Sequence, residues 1–391
     1  MNVLRNPEYR GIVILVLVIA VMGFVLAVAT GKLELFPGPM ALDKIIFVSD
    51  ATGSPEICAM NADGSGRTQL TTGAKVRSAP AISARGNRIV YVGRFERSDQ
   101  VFAIGAEGGM PDRLTSATGP KKEPRYTPDG KQLSFIASGR VFVAETNGDS
   151  PRPIFPTASE VRAAMSNPLR RGEVPPYFDY GWAPDSEAIV GLRKDPDGND
   201  AATFLAGHDA EPKSPPLTPL LNELLKQEGA SKRRIAPDER VRITGLAWAA
   251  KAPALAFSAV SRNDGFLIVF GVEKGELRLG GFRSFGDHKI GQPAFAPDGS
   301  AVVIPMSSTD GISKAGLLKL DLANGRAEVI ASGVFERPSY SPAGDRILAT
   351  LSNEIRQRRD VVTIELATGK VERLTRDGGS HDAIWSPASE K

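Results

Sequence analysis

The sequence is poor in the residue types that most often carry chemistry. It contains one cysteine, Cys58, and three histidines in 391 residues. A single cysteine excludes an intramolecular disulfide, although it does not exclude export, and we expect Cys58 to be a buried apolar residue of a strand. His208, His288 and His381 lack the spacing of metal ligands. The sequence therefore predicts no metal site.

Catalytic and nucleotide-binding motifs are also missing. The sequence has no Gly-x-Ser-x-Gly motif and no glycine-rich dinucleotide motif placed between a strand and a helix. The stretch from Asp195 to Asp200 resembles a calcium loop, but it lacks the glycine at the sixth position, and a hairpin turn fits it better. The net charge is only +3, which does not favour nucleic acid. We therefore expect no catalytic residue, no cofactor and no nucleic-acid partner.

One apolar run, residues 11–29, is long enough to cross a bilayer. As a helix it reaches about 28 Å, close to the thickness of the hydrocarbon core. Arg5 and Arg10 precede it, whereas the nearest charges that follow are Lys32 and Glu34. This asymmetry favours a cytoplasmic N-terminus with the remaining chain outside the cytoplasm. We expect a single-pass membrane anchor followed by a linker, residues 30–43. The alternative is a signal peptide cleaved near Ala29, which gives a secreted or periplasmic protein.

From Lys44 onward the sequence repeats a unit of short strands separated by turns. In its clearest copy the turn Ser341–Gly344 is followed by three runs of strand type, residues 347–351, 361–364 and 371–375. Turn prolines at positions 297, 342 and 387 are 45 residues apart. Four antiparallel strands in a period of roughly 40–45 residues are typical of a β-propeller blade.

An apolar, mostly aromatic column lies two residues before the turn proline or its equivalent. Its members are Ile82, Tyr126, Trp182, Trp248, Phe295, Tyr340 and Trp385, which include all three tryptophans of the chain. Two stretches interrupt the repeat, residues 157–177 and 212–240. Without them residues 44–391 give about 43 residues per blade for seven blades. We therefore predict an all-β, seven-bladed propeller over residues 44–391, in which the C-terminal strand completes the first blade.

The aromatic-x-Pro-Asp-Gly turns and the Arg-Leu-Thr strand ends, at residues 113–115 and 373–375, resemble the repeats of the TolB-type propeller family. This resemblance implies the fold, and it implies an envelope location with protein partners. The family's type member has six blades behind a separate N-terminal domain, whereas here an apolar segment replaces that domain and seven blades fit best. A role in the Tol system is therefore not implied.

A second column lies five residues before the turn proline. Its members are Ala79, Glu123, Asp179, Gly245, Gln292, Arg337 and Asp382. Because the first strand of a blade is innermost, we expect this column at one mouth of the central channel. Glu123, Asp179, Gln292, Arg337 and Asp382 form a candidate ligand site there. The alternative is a wet polar lining without a ligand.

The second interruption contains an amphipathic helix. Pro219 suits the first turn of a helix, and four leucines follow on one face: Leu220, Leu221, Leu224 and Leu225. A basic cluster comes next, Lys232, Arg233 and Arg234. The leucines and the cluster are a candidate docking element for a partner, and the alternative is packing on the propeller's own surface.

These features leave two functional hypotheses. The first is a membrane-anchored, non-catalytic propeller that acts as a protein-interaction scaffold or an accessory subunit of an envelope assembly, with a partner in or on the same membrane. The second is an exported propeller enzyme or small-ligand binder that uses the channel mouth. The missing catalytic motifs favour the first.

Overall fold

The computed structural model describes residues 42–166, 173–195, 197–207, 210–228, 234–236, 238–262, 264–308, 311–353 and 355–388. The predicted segments 1–10 and 11–29, and the linker up to residue 41, lie outside these ranges. Among the helices that the structure describes, none is long and apolar enough to cross a membrane.

The described residues form seven antiparallel sheets, which are the blades of a propeller. Blade 1 contains β28 (Ser380–Trp385), β1 (Lys44–Ser49), β2 (Glu56–Asn61) and β3 (Thr68–Gln69). Blade 2 contains β4 (Ala81–Ile82), β5 (Arg88–Phe95), β6 (Ser98–Gly105) and β7 (Gly108–Arg113). Blade 3 contains β8 (Lys121–Tyr126), β9 (Gln132–Ala137), β10 (Arg140–Glu145) and β11 (Arg152–Phe155). Blade 4 contains β12 (Tyr177–Trp182), β13 (Ala188–Lys194) and β14 (Asp200–Ala206).

The remaining blades follow the same order from the channel outward. Blade 5 contains β15 (Val241–Trp248), β16 (Ala254–Ser261), β17 (Asp264–Glu273) and β18 (Glu276–Ser284). Blade 6 contains β19 (His288–Ile290), β20 (Ala294–Phe295), β21 (Ala301–Ser308), β22 (Gly311–Asp321) and β23 (Ala327–Ser332). Blade 7 contains β24 (Val334–Tyr340), β25 (Arg346–Asn353), β26 (Arg358–Glu365) and β27 (Val371–Arg373). The prediction of an all-β, seven-bladed propeller is confirmed.

The hydrophobic core lies between blades rather than at one centre. Seven clusters of buried residues each join two neighbouring blades, and the seventh joins blade 7 to blade 1. Ile45 and Phe47 of β1 pack toward blade 7, while Ile46 and Val48 pack toward blade 2. Both faces of the strand are therefore buried, which explains why these strands read as continuous apolar runs. Cys58 is also buried, at 4% exposure.

Blade 1 is closed by the C-terminal strand, as the sequence predicts. Trp385 of β28 is opposite Ile45 of β1, and the two strands pair antiparallel. Beyond the strand, Ser386 N donates to Lys44 O at 2.9 Å, and Lys44 N donates to Ser386 Oγ at 2.7 Å. The closure pairs the inner edge of β1, whose backbone groups would otherwise be left without partners.

The tryptophans of the aromatic column connect neighbouring blades. Trp182 Nε1 donates to Ser134 Oγ of blade 3 at 3.0 Å, and Trp248 Nε1 donates to the carbonyl of Gly181 in blade 4 at 3.2 Å. Trp385 Nε1 lies 3.4 Å from the carbonyl of Ser339 in blade 7. Each indole thus fills the space between blades and hydrogen-bonds the preceding one, so that its polar atom is satisfied.

The two interruptions of the repeat contain the two helices that the structure describes, α1 (Ala158–Ser166) and α2 (Leu217–Gln227). In α1, Glu160 accepts a hydrogen bond from Tyr177 Oη at 2.6 Å and pairs with Arg193 of blade 4 at 3.3 Å. Blade 4 has three strands, and its outer strand β14 makes a single bridge, between Phe204 and Lys213, to the chain that leads into α2. The helices therefore cover the rim where the regular strand pattern stops.

Candidate functional site: the mouths of the central channel

The innermost strands are irregular at the column predicted from the turn prolines. The pairing register shifts beside its members in five blades, at Glu123, Asp179, Gly245, Arg337 and Asp382. Glu123, Arg337 and Asp382 also have left-handed φ angles of 48°, 48° and 51°. Such angles are uncommon for residues other than glycine, and a bulge redirects the side chain of the extra residue. Five of the seven column positions therefore coincide with β-bulges.

The five predicted residues of the candidate ligand site come together. Glu123, Asp179, Gln292 and Arg337, from blades 3, 4, 6 and 7, line one cavity of about 430 Å³. Asp382 of blade 1 joins them through Arg337, whose Nε lies 3.2 Å from Asp382 Oδ1. We call this cavity the charged mouth. Its volume lies within the range of small-ligand sites, about 300–1,000 Å³.

Two arginines tie the charged mouth together. Arg125 contacts Glu123 at 2.9 Å and Asp179 at 2.7 Å, and its guanidinium lies 4.8 Å from the centre of the Tyr180 ring. Arg337 contacts Asp382 at 3.2 Å and reaches Glu123, across the channel in blade 3, at 3.6 Å. The arginines therefore hold carboxylates of three blades in one network.

The electrostatics of the network keep its groups charged. Burial lowers the pKa of Arg125, but the carboxylates of Asp179 and Glu123 outweigh it, and the net effect raises that pKa. Burial raises the pKa of Asp382, but the hydrogen bond from His381, at 2.9 Å, and the charge of Arg337 outweigh it, so this pKa is lowered. Both groups are therefore ionised at neutral pH.

Three contributors to the charged mouth were missed by the sequence reasoning. Thr244 and Glu336 line the cavity, and Arg125 bridges two of its carboxylates. All three lie within two residues of a predicted column member. The signal was present as polar residues beside the column members, but the register shift hid which side they face.

The chemistry of the charged mouth suits recognition of a positive or hydrogen-bonding group. Among the described residues of the lining, three carboxylates, Glu123, Asp179 and Glu336, accompany one arginine, Arg337. Within the described ranges, no group of three or more His, Cys, Asp and Glu side chains is arranged to hold a metal ion. His288 Nδ1 is bonded to the carbonyl of Phe285 at 2.8 Å, and His208 lies outside the described residues.

The opposite mouth of the channel is largely apolar. The aromatic column contributes Ile82, Trp248, Phe295, Tyr340 and Trp385 to the wall of a cavity of about 630 Å³. Turn prolines, among them Pro342 and Pro387, add to that wall, which also includes polar residues such as Lys251. The described chain begins at this end, because Asp43 N donates to the carbonyl of Pro387 at 3.0 Å. The channel thus has one charged and one largely apolar mouth, at opposite ends of the innermost strands.

The candidate docking element divides between buried and exposed residues. Leu221, Leu224 and Leu225 are at most 3% exposed and join the core between blades 4 and 5, while Leu220 is half-buried. This burial favours the alternative, packing on the propeller, because a buried side chain is not available to a partner. Lys232 and Arg233 lie outside the described residues, and Arg234 is exposed.

Comparison with known proteins supports a TolB-type propeller fold. No family model matches the sequence. A TolB homologue of Chlorobium chlorochromatii is 26% identical over 181 residues, which cover 35% of this chain and 40% of the homologue. A solved puromycin-hydrolyzing peptidase of Mycobacterium tuberculosis has a TM-score of 0.59 at 13% identity, with 88% of this chain and 53% of that chain covered.

A solved oligogalacturonate lyase in complex with manganese has a TM-score of 0.56 at 12% identity, with 86% of each chain covered. At such identities a structural likeness shows the fold alone. The solved neighbours include enzymes, so the fold by itself does not separate a scaffold from a catalyst. The chain is a seven-bladed β-propeller similar in sequence to part of a TolB homologue.

Proposed function

We propose that this chain is a protein-interaction module of the cell envelope and that the charged mouth receives a positively charged group of its partner. The observation that carries the proposal is the convergence of Glu123, Asp179, Gln292 and Arg337 from four blades on one cavity. A binding role needs only this preformed surface, whereas a reaction also needs an acid, base or nucleophile held in line with a bound substrate.

The charge of the lining supports a cationic group as the part that is recognised. Arg125 engages Glu123 and Asp179 from one side, while Glu336 is exposed in the same cavity. A lysine or arginine of a partner is attracted by these carboxylates in a partly enclosed space, where charge pairs are stronger than on an open surface. Gln292 adds a neutral donor and acceptor.

Membrane attachment through residues 11–29 is part of the proposal and rests on the sequence. A linker of about thirteen residues reaches at most about 45 Å, so the partner is expected in or on the same membrane. Protease added to intact spheroplasts should remove the propeller and leave the anchor. A propeller that is protected, or that carbonate washes from the membrane, contradicts this placement.

Charge reversal at Glu336 tests the binding site. We expect Glu336→Arg to abolish cross-linking to the partner in intact envelopes, while Glu372→Arg, an equal charge change on the exposed outer strand β27, preserves it. A second variant, Gln292→Trp, fills the cavity without a charge change and should also abolish cross-linking. The proposal fails if a folded Glu336→Arg protein and a folded Gln292→Trp protein keep the same partner.

A small cationic ligand is the second candidate, because the cavity of about 430 Å³ suits a small molecule. The two candidates are distinguished by what survives purification. A small ligand should bind the purified propeller saturably and raise its melting temperature, with both effects lost in Gln292→Trp. A protein partner should instead be recovered as a cross-linked chain of defined mass.

A further inference from the structure

We propose that a cavity on the rim between blades 6 and 7 binds a phosphate-type oxyanion. The cavity has a volume of about 580 Å³ and is lined by four arginines, Arg356, Arg358, Arg373 and Arg376. Among the described residues of that lining, Asp360 is the one carboxylate. The whole chain has a net charge of only +3, so this concentration of positive charge is local. The inference is independent of the charged mouth.

Two of the arginines are held in place by the protein itself. Arg373 contacts Asp360 Oδ2 at 3.0 Å, and Asp360 Oδ1 accepts a hydrogen bond from Gly378 N at 3.1 Å. Arg358 donates from Nη2 to the carbonyl of Arg376 at 2.7 Å. Asp360 is only 3% exposed, so it acts as a buried support rather than as a competing surface charge. Pre-oriented guanidinium groups lose less entropy when they bind an anion.

The other two arginines carry positive charges that are available to a ligand. Among the described residues, no carboxylate lies within ion-pair distance of Arg356 or Arg376, and both side chains are exposed. Arg356 N donates to Asn353 Oδ1 at 3.0 Å, which fixes the loop that presents it. Ser332 and Ser352 add hydroxyl groups to the lining.

The lining offers many hydrogen-bond donors, and its carboxylate, Asp360, is already paired with Arg373. Such a set of donors matches the oxygens of a phosphate group. Arginine binds phosphate through two parallel N–H···O contacts, and several such contacts discriminate a multivalent oxyanion from chloride. Val334, Leu351 and the 86% exposed Ile355 form an apolar side of the same cavity. The ligand is therefore expected to carry an organic body beside its phosphate.

The position of the cavity favours a soluble ligand over a lipid headgroup. The cavity lies at the end of blade 7 from which the chain continues into β28, whereas the described chain begins near Pro387, at the other end of β28. A membrane anchor that precedes residue 42 therefore approaches the opposite face. A soluble ligand and a lipid headgroup both carry a phosphate group, so the experiment tests each of them.

Titration calorimetry of the purified protein with pyrophosphate, at constant ionic strength, tests the site. We expect saturable binding that weakens about tenfold or more in the double variant Arg356→Ala/Arg376→Ala. The matched control, Arg346→Ala/Lys370→Ala, removes the same charge at the opposite end of blade 7 and should bind as the unmodified protein does. Glu354→Gln, which removes a carboxylate next to Ile355 in the sequence, should strengthen binding.

Three results would overturn the proposal. One is the absence of saturable pyrophosphate binding up to millimolar concentration, and another is an equal loss in both double variants, which indicates general electrostatics. The third is binding only to vesicles that contain phosphatidic acid, with loss of that binding in Ile355→Ser. This result would identify a lipid surface, rather than a soluble molecule, as the ligand. Circular dichroism confirms folding of each variant, and the single variant Arg356→Gln replaces the double variant if that one is unfolded.

Discussion

Leucine truncation in α2 separates a structural helix from a docking helix. Leu225 and Leu221 are fully buried, whereas Leu220, which directly precedes Leu221 in the sequence, is only half-buried. Leu225→Ala removes a side chain that packs in the cluster between blades 4 and 5, and leaves a cavity there. Buried leucine-to-alanine changes cost about 2–5 kcal/mol. We expect about 3 kcal/mol for Leu225→Ala and less than about 1 kcal/mol for Leu220→Ala.

The melting temperature reports this difference. An unfolding entropy of about 2.1 cal/mol/K per residue, over roughly 350 residues, makes 3 kcal/mol equivalent to a shift of about 4 °C. Thermal unfolding followed by far-ultraviolet circular dichroism should therefore show a clear decrease for Leu225→Ala and little change for Leu220→Ala. Partner cross-linking, measured below the transition, should be the same for both variants.

The opposite pattern would refute the reasoning. If Leu225→Ala melts like the unmodified protein but loses the partner, α2 leaves the ring in solution and presents its leucines for docking. A decrease of equal size for Leu220→Ala would show that the helix packs with a different face from the one described. Both outcomes are visible with the same two proteins.

Three other changes test the ring and its charged mouth. Deletion of residues 380–391 removes β28 and should abolish cooperative folding, whereas deletion of residues 389–391 should leave the melting curve unchanged; equal curves contradict the closure. Because the folded-state pKa of Asp382 is lowered from 3.8, its contribution to stability is present above that pH and is lost as the pH falls below it. Asp382→Asn should therefore flatten the acid side of the stability profile, and an unchanged acid slope argues against it. Gly245→Ala places a Cβ 2.5 Å from Gln292 Cα and should lower the melting temperature, while Gly271→Ala, with its nearest atom at 4.0 Å, should not; equal effects would mean that the close approach is not limiting.

The blades were predictable because their signals are local. A proline fixes the first corner of the turn in five of the seven copies, and in turns such as Pro297–Gly299 the aspartate and glycine that follow satisfy the backbone and the left-handed corner. Asp298 Oδ1 accepts from Ser300 N at 3.0 Å, and Gly299 has a φ of +78°. The apolar runs between such turns are buried on both faces, so strand and turn could be recognised within one repeat. The closure by β28 followed from an incomplete first copy.

The candidate site was predictable in membership but not in its contacts. A column at fixed distance from the turn proline finds Glu123 and Arg337, since the repeat conserves position along a strand. It does not show that Arg337 reaches Glu123 at 3.6 Å, because that contact joins residues 214 positions apart across the channel. Nor does periodicity reveal whether the leucines of α2 pack inward, because an amphipathic stripe fits a neighbouring blade and a partner equally well.

The β-bulges explain why charged residues occur on strands that are otherwise buried. In β28, Ala383 and Trp385 pack toward blade 7 and Ile384 packs toward blade 2, so a regular position directs its side chain between blades. A carboxylate there would lose its hydration without a partner, at a cost of several kcal/mol. The left-handed residue of a bulge, such as Asp382 with a φ of 51°, directs its side chain away from that dry space and toward the channel network. The backbone strain of roughly 1–3 kcal/mol at such a residue is smaller than the cost that it avoids, so the same irregularity permits both a tightly packed ring and a charged mouth.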